Sequence, residues 1–239
     1  MYKKFVKRIL DFILAFVLFV LTFPIVFVAG ILILCVDRMK PVFKQKRVGK
    51  DQKIFEIYKL QTMKRDKDGV NQVTKLGKFL RATSIDELPQ LVNILKGEMS
   101  FIGPRPWIES YTKYFTKRQK RRHEVLPGIS GWAQVNGRND VTIKDKINSD
   151  LYYVDNISFL LDLKIVFKTI GIVFKKTGAS ISEKGISEEI EELKKNKKIV
   201  DPEIDPDEKS NEFVKKWRKI WKKHWLVLLF LYITQKNLY

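Results

Sequence analysis

Phe12 to Val36 is a run of 25 residues without one charged side chain. About 20 apolar residues in a helix cover the hydrocarbon core of a bilayer, so this run is long enough for a membrane helix. It is not a cleavable signal peptide, because the run is too long and no small-residue cleavage site follows it. Two features argue against a simple crossing. Pro24 sits at its midpoint, where a proline kinks a helix, and Thr22 offers a hydroxyl to a freed backbone group. Both flanks are basic, with Lys3, Lys4, Lys7 and Arg8 before the run and Arg38, Lys40, Lys44, Lys46 and Arg47 after it. Basic flanks favour the cytoplasmic side, and a straight span exports one of these clusters. The pattern favours a re-entrant helix-break-helix over residues 1–36, with a single span as the alternative.

Charge narrows the partners. The 239 residues carry a formal net charge of +19, which points to nucleic acid, a membrane surface or a phosphate-rich substrate. The one cysteine, Cys35, allows no disulfide within the chain and fits a reducing compartment. With two histidines besides, an ordinary zinc site is excluded.

Ser84 to Pro106 (SIDELPQLVNILKGEMSFIGPRP) carries the densest chemical signal. Ser84 followed by Glu87 has the spacing of a helix capping box, which is the simpler reading; Pro89 fits that register poorly. The sharper reading uses the same residues. A carboxylate in a first helical turn stays ionised, and an ionised Asp86 is a possible nucleophile. Glu87 then points about 100° away, free to hold a metal. Arg105, fixed between Pro104 and Pro106, presents a guanidinium fork suited to phosphate. The combination suggests phosphoryl chemistry.

The other segments read as follows. Val42-Phe43 and Lys53 to Leu60 alternate as strands do around a Gly49-Lys50-Asp51 turn. Lys64 to Asn71 is expected to be a polar loop. Lys75 to Arg81 is a basic amphipathic turn or helix, either a solvated face or a membrane or phosphate contact. Trp107 to Val125 looks like one basic helix interleaved with aromatics, a pattern shared by DNA-binding and lipid-bound helices. Within it, His123 reads as structural. Pro127 to Arg138 is rich in turn formers and is expected to be an ordered loop. Asp145 to Tyr153 and Phe159 to Phe174 read as helices, and Asp162, set among apolar residues in the second, is expected to pair with a base. Residues 183–211 read as a charged linker. Residues 212–239 read as a basic amphipathic helix with Trp217, Trp221 and Trp225 on one face, for a membrane interface or, alternatively, a partner.

At this point the residues match a known family. The apolar run broken at proline, IYKLQTMK, LRATSIDELPQLVNILKGEMSFIGPRP, PGISGWAQVNGRN and DLYYVDNISFLLDLKIVFKT together resemble the bacterial sugar transferases, the small monotopic, PglC-like phosphoglycosyltransferases. The resemblance covers roughly residues 1–180. It implies an α/β fold: a membrane-embedded re-entrant helix-break-helix, a compact, helix-rich cytosolic catalytic domain over residues 37–182, and interfacial amphipathic helices. It implies a bacterial inner-membrane protein on the cytoplasmic face, with both ends cytoplasmic. The implied reaction moves a sugar phosphate from a UDP-sugar to polyprenol phosphate with Mg²⁺ and releases UMP. Asp86 is the implied nucleophile and Glu87 the Mg²⁺ ligand. Arg105 and Arg81 are implied to bind phosphate, and Lys59, Arg138, Asp150 and Asp162 to lie near the site. The family often has Ser before the helix-breaking proline, where this chain has Phe23. Two other classes are compatible with the charge: a non-enzymatic, membrane-anchored basic adaptor, and a membrane-tethered nucleic-acid binder, for which no recognition motif is present. Anionic lipid is the expected surface partner, and no nucleic acid is expected.

Overall fold

In the computed structural model, residues 2–65, 70–112, 115–137 and 142–174 are described. The expected linker over residues 183–211 and the expected tail helix over 212–239 lie outside the described residues, as does Arg138. The fold is a mixture of helix and small sheets built against one long apolar helix. That helix, α1, spans Lys7–Leu32, is preceded by a wider π turn over Tyr2–Val6 and continues as one over Ile33–Asp37. The expected interruption at Pro24 is not there: α-helical structure runs through it. A proline removes one backbone donor, and its neighbours still hold the helix. The hydroxyl of Thr22 donates to the Leu18 carbonyl at 2.7 Å, not to that of Val20, the group four residues before Pro24.

One stripe of α1 continues past Pro24. From Asp11 onward its buried or half-buried positions are Asp11, Ala15, Leu18, Phe19, Thr22, Val26, Ala29, Gly30 and Ile33, a helical spacing kept on both sides of the proline. Near its start, Ala15, Leu18 and Phe19 pack with Phe55, Ile57, Leu91, Ile94 and Met99. Toward its end, Val26, Ala29 and Ile33 pack with Leu60, Leu80, Leu76 and Ile85. Both ends of the apolar run are therefore fastened to the same domain. Its other sides expose Phe12, Phe16, Val20, Phe23, Phe27 and Ile31, an apolar surface far larger than a water-soluble helix presents.

The domain begins with a hairpin of β1 (Val42–Val48) and β2 (Ile54–Leu60), antiparallel with Phe43 opposite Lys59. Gly49 and a short 3₁₀ turn over Lys50–Gln52 make the expected connection. The next stretch departs from expectation: Met63–Arg65 (β3) pairs antiparallel with Asn71–Val73 (β4), so part of the presumed loop is a second small hairpin. Helix α2 (Lys75–Ala82) starts at Thr74, whose hydroxyl accepts from the Gly77 N–H at 2.8 Å. Helix α3 covers Gln90–Lys96 and ends at Gly97 with φ +84°, a left-handed position suited to glycine.

Two further expectations are revised. The stretch Trp107 to Val125 is not one helix but two single turns, α4 (Glu109–Thr112) and α5 (Lys117–Lys120), followed by a 3₁₀ turn at Arg121–Glu124. A capping box between Thr116 and Gln119 starts α5 and so divides the stretch. The presumed loop after Pro127 instead supplies β6 (Gly128–Ser130), parallel to β5 (Ser100–Ile102), and helix α6 (Trp132–Asn136). Helices α7 (Ile143–Asp155) and α8 (Phe159–Phe174) close the described fold. The second core unites Ile102, Val125, Trp132, Tyr153, Val154 and Ile165.

Candidate active site

The capping-box reading of Ser84 fails. Ser84 has φ +56° and ψ +17°, and its side chain caps nothing. This left-handed residue, uncommon outside glycine, turns the chain sharply after α2. Ile85–Glu87 then form one 3₁₀ turn, with the Glu87 N–H donating to the Ser84 carbonyl at 3.2 Å. The α-helix starts only after Pro89, which sits where no backbone donor is required. Asp86 and Glu87 thus precede α3 and draw nothing from a first-turn position in it. Side chains supply what the helix does not.

Glu87 is held from two sides. Lys59 Nζ, on β2, reaches Glu87 Oε1 at 2.7 Å, and Arg105 Nη2 lies 3.6 Å from the same oxygen. Burial opposes ionisation of Glu87, yet Arg105 and Lys59 together outweigh it and hold the carboxyl below its usual pKa. Asp86 differs. It is 7% exposed, and burial, with the charge of Glu87, raises its pKa against the pull of Lys59 and Arg81. The sequence expectation of an Asp86 held ionised by a helix end is therefore corrected: this carboxylate is desolvated. Two adjacent carboxyls pushed in opposite directions suit two different tasks.

The scaffold explains the convergence. Arg81, on the last turn of α2, donates from Nε to Thr62 Oγ1 at 2.9 Å. The close approach of α2 to the strand connection needs Gly77, whose added Cβ would meet the Thr62 carbonyl at 2.2 Å. Asn93, fully buried on α3, was missed by sequence reading. Its amide nitrogen donates to the Glu56 carbonyl and to Glu98 at 2.7 Å each, while its oxygen accepts from the Tyr58 N–H at 3.1 Å. It therefore clamps β2, which carries Lys59, to the helix after Asp86 and Glu87. The readable signal was an amide set between Leu91, Val92, Ile94 and Leu95 on α3.

Asp150 and Asp162 lie on other contacts. Asp150, on α7, is buried and paired with Arg122 at 2.6 Å. Asp162, on α8, has the basic partner expected of it, Lys7 at 2.6 Å. The Tyr2 hydroxyl donates to the same oxygen at 2.6 Å, and the Tyr153 hydroxyl to the other oxygen at 2.7 Å. Asp162 shares none of these partners with Asp86 or Glu87. His123 is buried and stacked on Phe115. Burial and the Arg122 charge push its pKa down to about 4, which keeps it neutral.

The donor set suits Mg²⁺ in one manner only. Asp86 and Glu87 offer hard oxygens, but no group of three or more His, Cys, Asp or Glu converges among the described residues. Mg²⁺ is commonly held by one or two carboxylates together with substrate phosphates, and this pair fits that arrangement.

Comparison with known proteins gives a consistent answer. The family model described as bacterial sugar transferase matches residues 2–176. The sugar transferase EpsL of Bacillus subtilis, itself described as uncharacterized, is 44% identical over 183 residues, covering 72% of this chain and 89% of EpsL. A UDP-N-acetylgalactosamine-undecaprenyl-phosphate N-acetylgalactosaminephosphotransferase of Aeromonas hydrophila is 40% identical over 190 residues, 73% of this chain and 45% of that protein. A UDP-glucose:undecaprenyl-phosphate glucose-1-phosphate transferase of Caulobacter vibrioides is 36% identical over 181 residues, 69% of this chain and 68% of the relative. The chain thus spans most of some relatives and less than half of others. With its family match running from the N-terminus of α1 past the end of α8, the chain belongs to the bacterial sugar transferases.

Proposed function

We propose that the protein transfers a sugar 1-phosphate from a UDP-sugar to undecaprenyl phosphate, releasing UMP. The carrying observation is a desolvated Asp86 beside a firmly ionised Glu87, with Lys59, Arg81 and Arg105 around them. In this reading an Asp86 carboxylate oxygen attacks the phosphorus bearing the sugar. The bond from that phosphorus to the UMP oxygen breaks, and UMP leaves with the electron pair. An oxygen of undecaprenyl phosphate then attacks the aspartyl phosphosugar, the acyl phosphate bond breaks, and Asp86 returns as carboxylate. Desolvation leaves Asp86 a stronger nucleophile, and the cations offset repulsion between it and the donor's phosphates. Glu87 would hold Mg²⁺, whose contribution when bound is to neutralise phosphate charge. Arg105 and Arg81 bind phosphate oxygens, and Lys59 keeps Glu87 ionised and oriented.

The same proposal seats α1 on the cytoplasmic face, entering and leaving lipid on one side. Its support is the fastening of both ends of the apolar run to one domain, with basic residues at both flanks. The exposed Phe159, Leu160, Phe167 and Ile170 of α8 extend the apolar surface. The test is UMP release in detergent from a panel of UDP-sugars with undecaprenyl phosphate and Mg²⁺. One donor is expected to give UMP with wild type and none with Asp86→Asn. Labelled UMP is also expected to exchange into that donor without acceptor, as a covalent intermediate requires. Turnover without exchange would refute the covalent route, and turnover by Asp86→Asn would remove Asp86 from its role.

A further inference from the structure

The Gly103-Pro104-Arg105-Pro106 turn has an unusual anchoring problem. Two of its four residues lack a backbone N–H, so its position must be set mainly through its carbonyls. Each is taken. Pro104 O accepts from the Gly128 N–H at 3.0 Å and Trp107 O from the Val48 N–H at 3.0 Å. Pro106 O accepts from Arg47 Nη1 at 3.3 Å. The carbonyl of Arg105 itself accepts from Arg122 Nη2 at 2.6 Å.

Arg122 is 2% exposed. Its Nε and Nη2 reach Asp150 Oδ2 at 3.0 and 2.6 Å, and its guanidinium carbon lies 5.3 Å from the centre of the Trp107 ring. A charge this deeply buried is costly, and replacing a buried ion pair by apolar residues is often no loss in stability. What apolar residues cannot supply is a donor aimed at one carbonyl. We infer that Arg122 is a positioning residue for Arg105, and that Asp150 serves the site through Arg122 rather than by touching substrate. The geometry forms one line: Asp150 orients Arg122, Arg122 holds the backbone of Arg105, and the Arg105 side chain faces Glu87. The inference rests on the transfer reaction proposed above for its kinetic part only.

The test uses the full chain in detergent and the paired variant Arg122→Met/Asp150→Asn, which removes both buried charges together. Arg122→Lys is the second variant; an ammonium keeps a charge beside Asp150 but is one nitrogen on a shorter reach, without the second nitrogen on Asp150 that aims Nη2 at the Arg105 carbonyl. Hydrogen exchange is read first. The amides of Val48 and Gly128, which donate to the Trp107 and Pro104 carbonyls, and of Gly103, which donates to Ser130, are expected to exchange faster in either variant while α3 is unchanged; unaltered exchange there overturns the inference whatever the activity. UMP release is then measured in a cycle with Arg105→Gln. A misplaced group costs on the order of 100-fold in rate, so the paired variant is expected to lower kcat/KM by roughly 30- to 100-fold. In the Arg105→Gln background the same change is expected to cost less than about 2-fold, since Arg122 acts through Arg105. Equal losses in both backgrounds would show a general structural role and sink the inference. Absence of UMP release by wild type from every donor would count against the proposed reaction instead, and the exchange result would still decide the positioning.

Discussion

Asp162→Asn tests how the N-terminus of α1 is joined to α8. The Asp162 carboxylate receives three donors, Tyr2 and Lys7 on Oδ2 and Tyr153 on Oδ1, at 2.6, 2.6 and 2.7 Å. It is 6% exposed. An amide in its place offers one acceptor oxygen to three donors and sets an NH₂ group against one of them. Tyr153 can turn its one proton to the Ile102 carbonyl, 3.0 Å away, and the half-buried Tyr2 can turn to water. Lys7 loses its direct ion-pair partner and keeps only the longer-range attraction of Asp11. Breaking a buried pair from one side costs about 3–5 kcal/mol; the remaining bonds place this site near 3 kcal/mol. For a domain of this size each kcal/mol moves the midpoint by about 2–4 °C, so a fall of roughly 6–12 °C is expected in detergent by circular dichroism. The paired Lys7→Met/Asp162→Leu variant, which removes both charges of the pair, is expected to lose less than half of that. UMP release per folded molecule should change less than about 5-fold in Asp162→Asn, because Asp162 shares no partner with Asp86 or Glu87. A midpoint within 2 °C of wild type (under ~1 kcal/mol), or a paired variant less stable than the single one, would refute the reasoning.

Four other outcomes follow from the same geometry. The acid limb of kcat/KM for UMP release should lie above the ordinary aspartate value of about 4, because burial and Glu87 raise the pKa of Asp86; a limb at or below that value contradicts it. A carboxyl whose folded pKa is raised lends stability at low pH that is lost as pH rises through that pKa, so Asp86→Asn should melt above wild type at pH 7 while losing activity. His123, pushed down to about 4 from 6.5, contributes stability that is complete above pH 6.5 and is lost as pH falls through about 4. That difference is worth about 3 kcal/mol, and His123→Phe should flatten the melting temperature across this window; an unchanged acid slope argues against a neutral buried His123. Gly128→Ala would place a Cβ 2.1 Å from the Gly103 nitrogen and 2.5 Å from the Ser130 carbonyl, which backbone cannot yield without parting β5 from β6. A loss of about 3 kcal/mol or more, seen in urea unfolding, is expected together with reduced activity; wild-type stability would show that the strands separate freely.

Local patterns were legible where one element carries its own signal. Helix α8 occupies Phe159–Phe174 as expected, because its apolar positions repeat at helical spacing over the whole length. The β1–β2 hairpin was readable for the same reason, through alternation and an adjacent turn. Elements whose reason lies elsewhere in the chain were not. The strand β6 looked like irregular loop because its partner β5 is 28 residues earlier, with Ser100 opposite Gly128. Asp86 and Glu87 were found as a pair, but their setting was misread: Ser84 followed by Glu87 satisfies the capping spacing, and only the left-handed backbone at Ser84 shows that no cap forms. Arg122 was hidden in the run Arg118 to Arg122, where six basic residues in the neighbourhood read alike. What distinguishes it is the acidic partner on α7, far along the chain, which makes one arginine of the run a buried one.

The apolar helix and the chemical groups are parts of one core. Leu60 follows Lys59, Leu80 precedes Arg81 and Ile85 precedes Asp86; all three pack with Ala29 and Ile33 near the end of α1. At its start, Ala15 packs with Leu91 and Ile94 of α3. There Arg8 donates to the carbonyls of Ile94 and Leu95 at 2.6 and 3.2 Å, satisfying the end of α3. The residues adjoining three of the five charged groups around the site thus rest on a helix whose opposite side exposes Phe12, Phe16, Phe23 and Phe27. A side chain can be no better placed than the backbone beside it. Whatever surface covers those phenylalanines therefore also fixes where Lys59, Arg81 and Asp86 stand. This gives a physical reason for building such a site directly on the apolar helix: a domain on a flexible tether would hold its charged groups at no set distance from whatever covers those phenylalanines, whereas here one packed stripe, from Asp11 to Ile33, sets both.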